Sequence, residues 1–191
     1  GRLGDLATCA FSGSGQALDD VLGGAAGGPL QPKRIAWVPG VEASLEFTLD
    51  YENARFLQDH VFEGRCLLPT TVLMEMCGMT AQVALGRPLP WPLTFEALHF
   101  SQPIVVPKDV TRRLRVCAVI GEDDNTENIH VALEVRSCVD DFAHPWAKAR
   151  LLLDTAAAQI AADPAPALDG PSWNPDARGL YRGLLFHGPS Y

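Results

Sequence analysis

The stretch Thr70 to Leu85, TTVLMEMCGMTAQVAL, constrains the fold most, because Val72, Leu73, Met74, Met76, Cys77, Met79, Ala81, Val83 and Leu85 cover most of a helical circumference. A helix that is apolar nearly all round cannot rest on a surface and has to be buried on several sides. Pro69 stands at its first turn, where a missing amide proton has no partner to lose, and Gly86, Pro88, Pro90 and Pro92 end it. The segment is too short to span a bilayer and contains Glu75 and Gln82, so the rest of the chain must wrap it.

The wrapping material reads as strands. Ala43 to Leu49 alternates, with Leu45, Phe47 and Leu49 on one side and Ser44, Glu46 and Thr48 on the other, the pattern of a half-buried strand. Four more strand-like runs follow the helix: Leu93 to Val106, Arg112 to Ile120, Asn128 to Cys138 and Ala147 to Leu153. Pro107-Lys108-Asp109, Gly121 to Asn125 and Asp140-Asp141 separate them. His130, Ala132, Glu134 and Arg136 alternate with Val131, Leu133, Val135 and Ser137, which buries one face only. A strand, a buried helix and a run of antiparallel strands imply an α+β domain in which a sheet wraps one helix. No internal repeat is visible.

The flanks differ in composition. Ser12 to Pro32 is rich in Gly, Ala and Ser, so residues 1–40 read as a linker from an upstream domain and the folded unit is expected over 41–155. Residues 156–179 are Ala- and Pro-rich and read as a connector, after which 180–191 would begin a second unit. A start without Met and a stop inside a motif suggest a piece of a longer polypeptide. With 15 Lys and Arg against 23 Asp and Glu, the formal charge of -8 over 191 residues argues against nucleic acid and anionic membranes as partners. Cys9, Cys66, Cys77, Cys117 and Cys138 are odd in number and widely spaced, the usage of reduced, buried thiols in a cytosolic protein. Acidic Asp5 interrupts Gly1 to Phe11, so no secretory signal is expected there. A cytoplasmic location is expected.

Chemistry concentrates in DHVFEGRCLLP, Asp59 to Pro69, which contains His60-x-x-x-Gly64-x-x-x-x-Pro69 between a strand-like region and the buried helix. An imidazole with an unperturbed pKa near ~6.5 can accept a proton at cytosolic pH. Gly64 lets the backbone approach a ligand closely or adopt positive φ. Pro69 sets the helix start, whose amide groups and positive dipole end can polarise a carbonyl as negative charge develops on it.

This spacing resembles the signature of dehydratase domains in type I polyketide synthases and polyunsaturated fatty acid synthases, and the similarity runs from about Val41 to Leu153, including LTFEALHFSQPIVVP. The resemblance implies a double hotdog, of which this chain would be the N-terminal half. It implies that His60 is the base that removes the α-proton of a β-hydroxyacyl chain. Gly64, Pro69 and Thr70 would shape the substrate-binding loop and helix start, and Thr70 stands where the family usually has Gly. No tightly bound cofactor is implied: the substrate arrives on the phosphopantetheine of an acyl carrier protein. Other implied partners are further domains of the same synthase and, within a parent synthase, a second copy. The closing LLFHGPSY is similar to the family's Gly-Tyr-x-Tyr-Gly-Pro-x-Phe: Gly188 and Pro189 match, Tyr191 replaces the last aromatic, and Leu185 and His187 stand where the family has tyrosines. The acid of the second hotdog, an Asp before Gln or His, would lie beyond Tyr191, so the fragment alone is expected to be inactive.

Other candidates carry less. His99 and His130 fall in strands and His144 in a turn, and no His, Cys or carboxylate set has the spacing of a metal site. Ser12 and Ser190 lack a nucleophile elbow, and GGAAGG has no preceding strand. Arg112, Arg113 and Arg115 form the one basic cluster, either a solvated strand face or a steering patch for an acidic carrier protein. Tunnel dimensions would depend on packing around Phe95, Phe100 and Met79. Competing readings of the same fold are thioester hydrolysis, product-template-like cyclisation, and a non-catalytic half-domain.

Overall fold

The structure, a computed structural model, describes residues 30–52, 54–89, 93–122 and 129–153. The linker over 1–29, the connector, the LLFHGPSY motif and Cys9 lie outside them.

Among the described residues, eight strands and two α-helices follow one another: β1 Pro32–Val38, β2 Glu42–Leu49, α1 Phe56–Asp59, β3 Val61–Phe62, β4 Arg65–Cys66, α2 Thr70–Leu85, β5 Thr94–Phe100, β6 Arg112–Glu122, β7 Ile129–Ser137 and β8 Pro145–Leu152. Six strands form one sheet in the order β1-β2-β6-β7-β8-β5, antiparallel at every pairing. β3 and β4 form a separate hairpin.

Alternation in the strands decides which face closes on α2. Leu45, Phe47 and Leu49 of β2, Leu114 and Val116 of β6, Val131, Leu133 and Val135 of β7, and Ala147 and Leu151 of β8 all point into one core. Helix α2 answers with Leu73, Met76, Cys77, Ala81, Val83 and Ala84, none more than 1% exposed. Phe47, Leu45, Leu133 and Met76 are among the largest fully buried side chains, each worth about 2 to 3 kcal/mol of burial. Thr80, the buried polar residue of α2, donates its hydroxyl to the Met76 carbonyl at 2.8 Å. Gly86 closes the helix in the left-handed conformation, φ 67°, and Gly40 of the β1–β2 turn donates its amide to the Ala84 carbonyl at 3.0 Å.

The helix has the bounds expected from sequence, and one helix held by an antiparallel sheet is the architecture the pattern implied. Two segments differ. Residues 32–38, expected as the end of the linker, form edge strand β1, so the folded unit begins upstream of Val41. Pro32 starts that strand at the sheet edge, where a residue without an amide is tolerated. The run Leu93 to Val106, expected as one strand, ends as a strand at Phe100. Pro103 has no ladder donor to offer, and Ile104–Val106 pairs instead with the segment that precedes α2.

The outer face of the sheet carries charge. Glu46, 8% exposed, accepts from Arg113 at 3.1 Å and Arg115 at 3.2 Å, and the Phe142 ring lies over the Arg115 guanidinium with 4.2 Å to its centroid. Glu134 pairs with Arg136 at 2.6 Å and Lys148 at 3.3 Å. Burial alone would raise the Glu134 pKa, but these hydrogen bonds outweigh it and hold the carboxyl below its usual range.

Candidate active site

His60 owes its place to three pieces of local structure. Helix α1 is one turn long and anchored by Leu57, which is fully buried. His60 follows it with φ -105° and ψ 70°, outside the helical region, so the chain turns away as the imidazole enters the protein. The residue is 9% exposed.

The β3–β4 hairpin then reverses the chain. Glu63 at φ 48° and Gly64 at φ 75° are both left-handed, the requirement of the two-residue turn that matches strand twist. A Cβ added to Gly64 would meet nothing within 4 Å. The positive φ expected from the sequence is present, and Gly64 lies at the exposed hairpin tip. Reversal returns the chain to His60, whose carbonyl accepts from the Leu67 amide at 3.0 Å.

Leu67 is also fixed from its other side. It bridges Val105, flanked by the Leu68 amide on the Ile104 carbonyl and the Val106 amide on the Cys66 carbonyl, both at 2.9 Å. Two residues later comes Pro69, with φ -62° and ψ 141°. Pro69 is thus the last extended residue before α2 instead of the first helical one, and Thr70, exposed, takes the first helical place. The Leu73 amide reaches the Pro69 carbonyl at 3.1 Å, and no side chain caps the helix start. Backbone hydrogen bonds thus tie the His60 carbonyl, through Leu67, to the extended stretch that leads into α2. A proton acceptor beside a helix N-terminus can draw a proton from a carbon while charge accumulates on an adjacent carbonyl.

The remaining sequence candidates sit elsewhere. His99 is exposed on β5. His130 is half-buried on β7, its Nδ1 3.3 Å from an Arg150 guanidinium nitrogen. His144, exposed in the bend before β8, contacts the Asp140 carboxylate at 3.3 Å. Cys66, Cys77 and Cys117 are free and buried as expected, whereas Cys138 is only half-buried because it opens the turn after β7. Burial pushes the Cys77 thiol up to about 12. Among the described residues no group of three or more His, Cys, Asp or Glu is placed to hold a metal ion, and no described helix is long and apolar enough to cross a membrane. Of the basic cluster, Arg113 and Arg115 are engaged by Glu46, and Arg112 donates its Nε to the Val105 carbonyl at 3.1 Å. Met79 is buried, Phe95 half-buried against the core, and Phe100 exposed at the end of β5. The pinning of Leu67 by Ile104–Val106 was not readable in sequence; the only hint is Pro103, which breaks an apolar run.

The family described as "Polyketide synthase dehydratase domain" matches residues 37–137, just over half of the chain. No curated protein matches the sequence. Among solved structures, the chain is similar to the dehydratase domain from the terminal module of the rifamycin polyketide synthase, with TM-score 0.56 and 21% identity over 75% of this chain and 49% of that one. A structure from work on dehydratase substrate selection for the borrelidin and fluvirucin polyketide synthases gives 0.55 and 20% over 85% and 56%. GphF dehydratase 1 gives 0.55 and 19% over 85% and 55%. The likeness is one of fold, the hotdog, in which an antiparallel sheet wraps a central helix. The chain spans about half the length of these solved chains.

Proposed function

Because this chain belongs to the polyketide synthase dehydratase family, we propose that it supplies the histidine half of a site that dehydrates a β-hydroxyacyl thioester to an enoyl thioester. The observation that carries the reading is the buried His60, tied through Leu67 to the start of α2.

In this reading the thioester carbonyl faces the first amides of α2, beyond Pro69 and Thr70. As the α-proton leaves for the neutral His60 imidazole, charge grows on the carbonyl oxygen, where the amides and the positive end of the helix dipole favour it. The β-hydroxyl leaves as water after protonation by an acid that belongs to a second hotdog. Thr70 presents a backbone amide as Gly would, but its side chain narrows the approach. Met79 and Phe95 are the natural candidates for the wall of the acyl tunnel. The acyl group is delivered on the phosphopantetheine of a carrier protein within a polyketide or related synthase of the cytoplasm, and no tightly bound cofactor takes part.

Incubation of the intact protein with a β-hydroxyacyl carrier thioester, followed by mass spectrometry of the carrier, tests the proposal. Loss of one water with the thioester retained is expected. Release of the free acid, or a cyclised product without an enoyl intermediate, would favour hydrolysis or product-template chemistry instead.

A further inference from the structure

Arg112 opens β6 and is the one member of the basic cluster for which the described residues offer no carboxylate partner. Its half-buried side chain turns to backbone: Nε donates to the Val105 carbonyl at 3.1 Å. Val105 is the bridge partner of Leu67, and the Leu67 amide holds the His60 carbonyl at 3.0 Å. Val105 itself lies between Ile104 and Val106, which make the two flanking bonds to Leu68 and Cys66.

We propose that Arg112 is a positioning residue for His60, acting through the Ile104–Val106 strap and Leu67. The strap is short and lies outside the six-stranded sheet. Its register against Leu67 therefore depends on what holds it from behind. An arginine rooted in the first residue of β6, where Arg112 pairs with Leu49, links the strap to the six-stranded sheet. A backbone carbonyl has two acceptor sites, so Val105 can receive this bond without giving up its place beside Leu67. The proposal rests on the dehydratase reading only for its effect on turnover; its structural half stands apart.

The donor atom suggests the test. Glutamine carries its amide nitrogen on the same carbon, Cδ, that bears Nε in arginine, so Arg112→Gln keeps an N–H at this distance while removing the charge. Arg112→Met keeps the length and removes the donor. Hydrogen exchange in the intact protein is expected to show the Leu67 and Leu68 amides opening about fivefold more in Arg112→Met, the factor one ordinary hydrogen bond commands, and less than about twofold in Arg112→Gln. Amides in the middle of β7 should not change in either. With a β-hydroxyacyl thioester, kcat falls in the Met variant with KM little changed, and Gln restores it. Faster exchange confined to 107–111, with Leu67 and Leu68 unmoved, would mean that Arg112 only closes its own loop, and would overturn the proposal. If both variants loosen Leu67 equally, charge and not the Nε donor matters, and the proposal also fails. An unsubstituted protein that dehydrates nothing leaves the exchange result standing and counts against the dehydratase reading alone.

Discussion

Single residues at this site are under separate physical demands, and each demand predicts a different failure. Gly64 adopts a φ of 75°, and a Cβ there would meet no protein atom within 4 Å. Gly64→Ala should therefore cost about 1 kcal/mol by denaturant unfolding, with the fold kept. Cys77 and Cys138 differ in the same way: one thiol is buried and held up to about 12, the other opens a half-exposed turn. Thiolate is the reactive form, so alkylation of native protein at neutral pH should label Cys138 well before Cys77, as peptide mapping will show. Gly64 was legible in the sequence because a left-handed turn favours that residue. His60 was legible only by its spacing to Gly64 and Pro69, since nothing in a linear sequence tells how deeply an imidazole is buried.

At the scale of elements, α2 could be read to its end residues because a proline precedes it and a left-handed glycine follows. The strands could be read where alternation was strict, as in β7. Reading failed at Ile104–Val106, because strand-like composition does not say which partner an extended segment takes. The Glu46 pairs on the outer face were also invisible, since they join β2 to β6 across a long sequence separation. The Glu134 cluster, with Arg136 on its own strand and Lys148 on the next, gives a pH prediction. The Glu134 carboxyl is held below its ordinary value in the folded state, so its contribution is complete above the unfolded pKa near ~4.3 and is lost as pH falls through the lower folded value. Thermal unfolding of Glu134→Gln between about pH 5 and pH 3 should show a shallower decline than the unsubstituted protein. Near neutrality the variant should be less stable by no more than about 1 kcal/mol, as for a solvent-screened pair.

For the molecule as a whole, one helix inside a six-stranded antiparallel sheet accounts for a core, but a dehydration needs an acid as well as a base. The solved chains it resembles are about twice as long, and the acid is proposed to come from a second hotdog. The 191 residues alone should accordingly turn over at least ~100-fold more slowly than the same residues joined to such a partner, the low end of what one acid-base group contributes. His60 is proposed to take the α-proton, and the rate of enoyl thioester formation by the intact protein carrying His60→Ala tests this. A loss of roughly 10²- to 10⁴-fold, with the unfolding transition little changed, is the predicted result. An unchanged rate in a folded His60→Ala protein would contradict it.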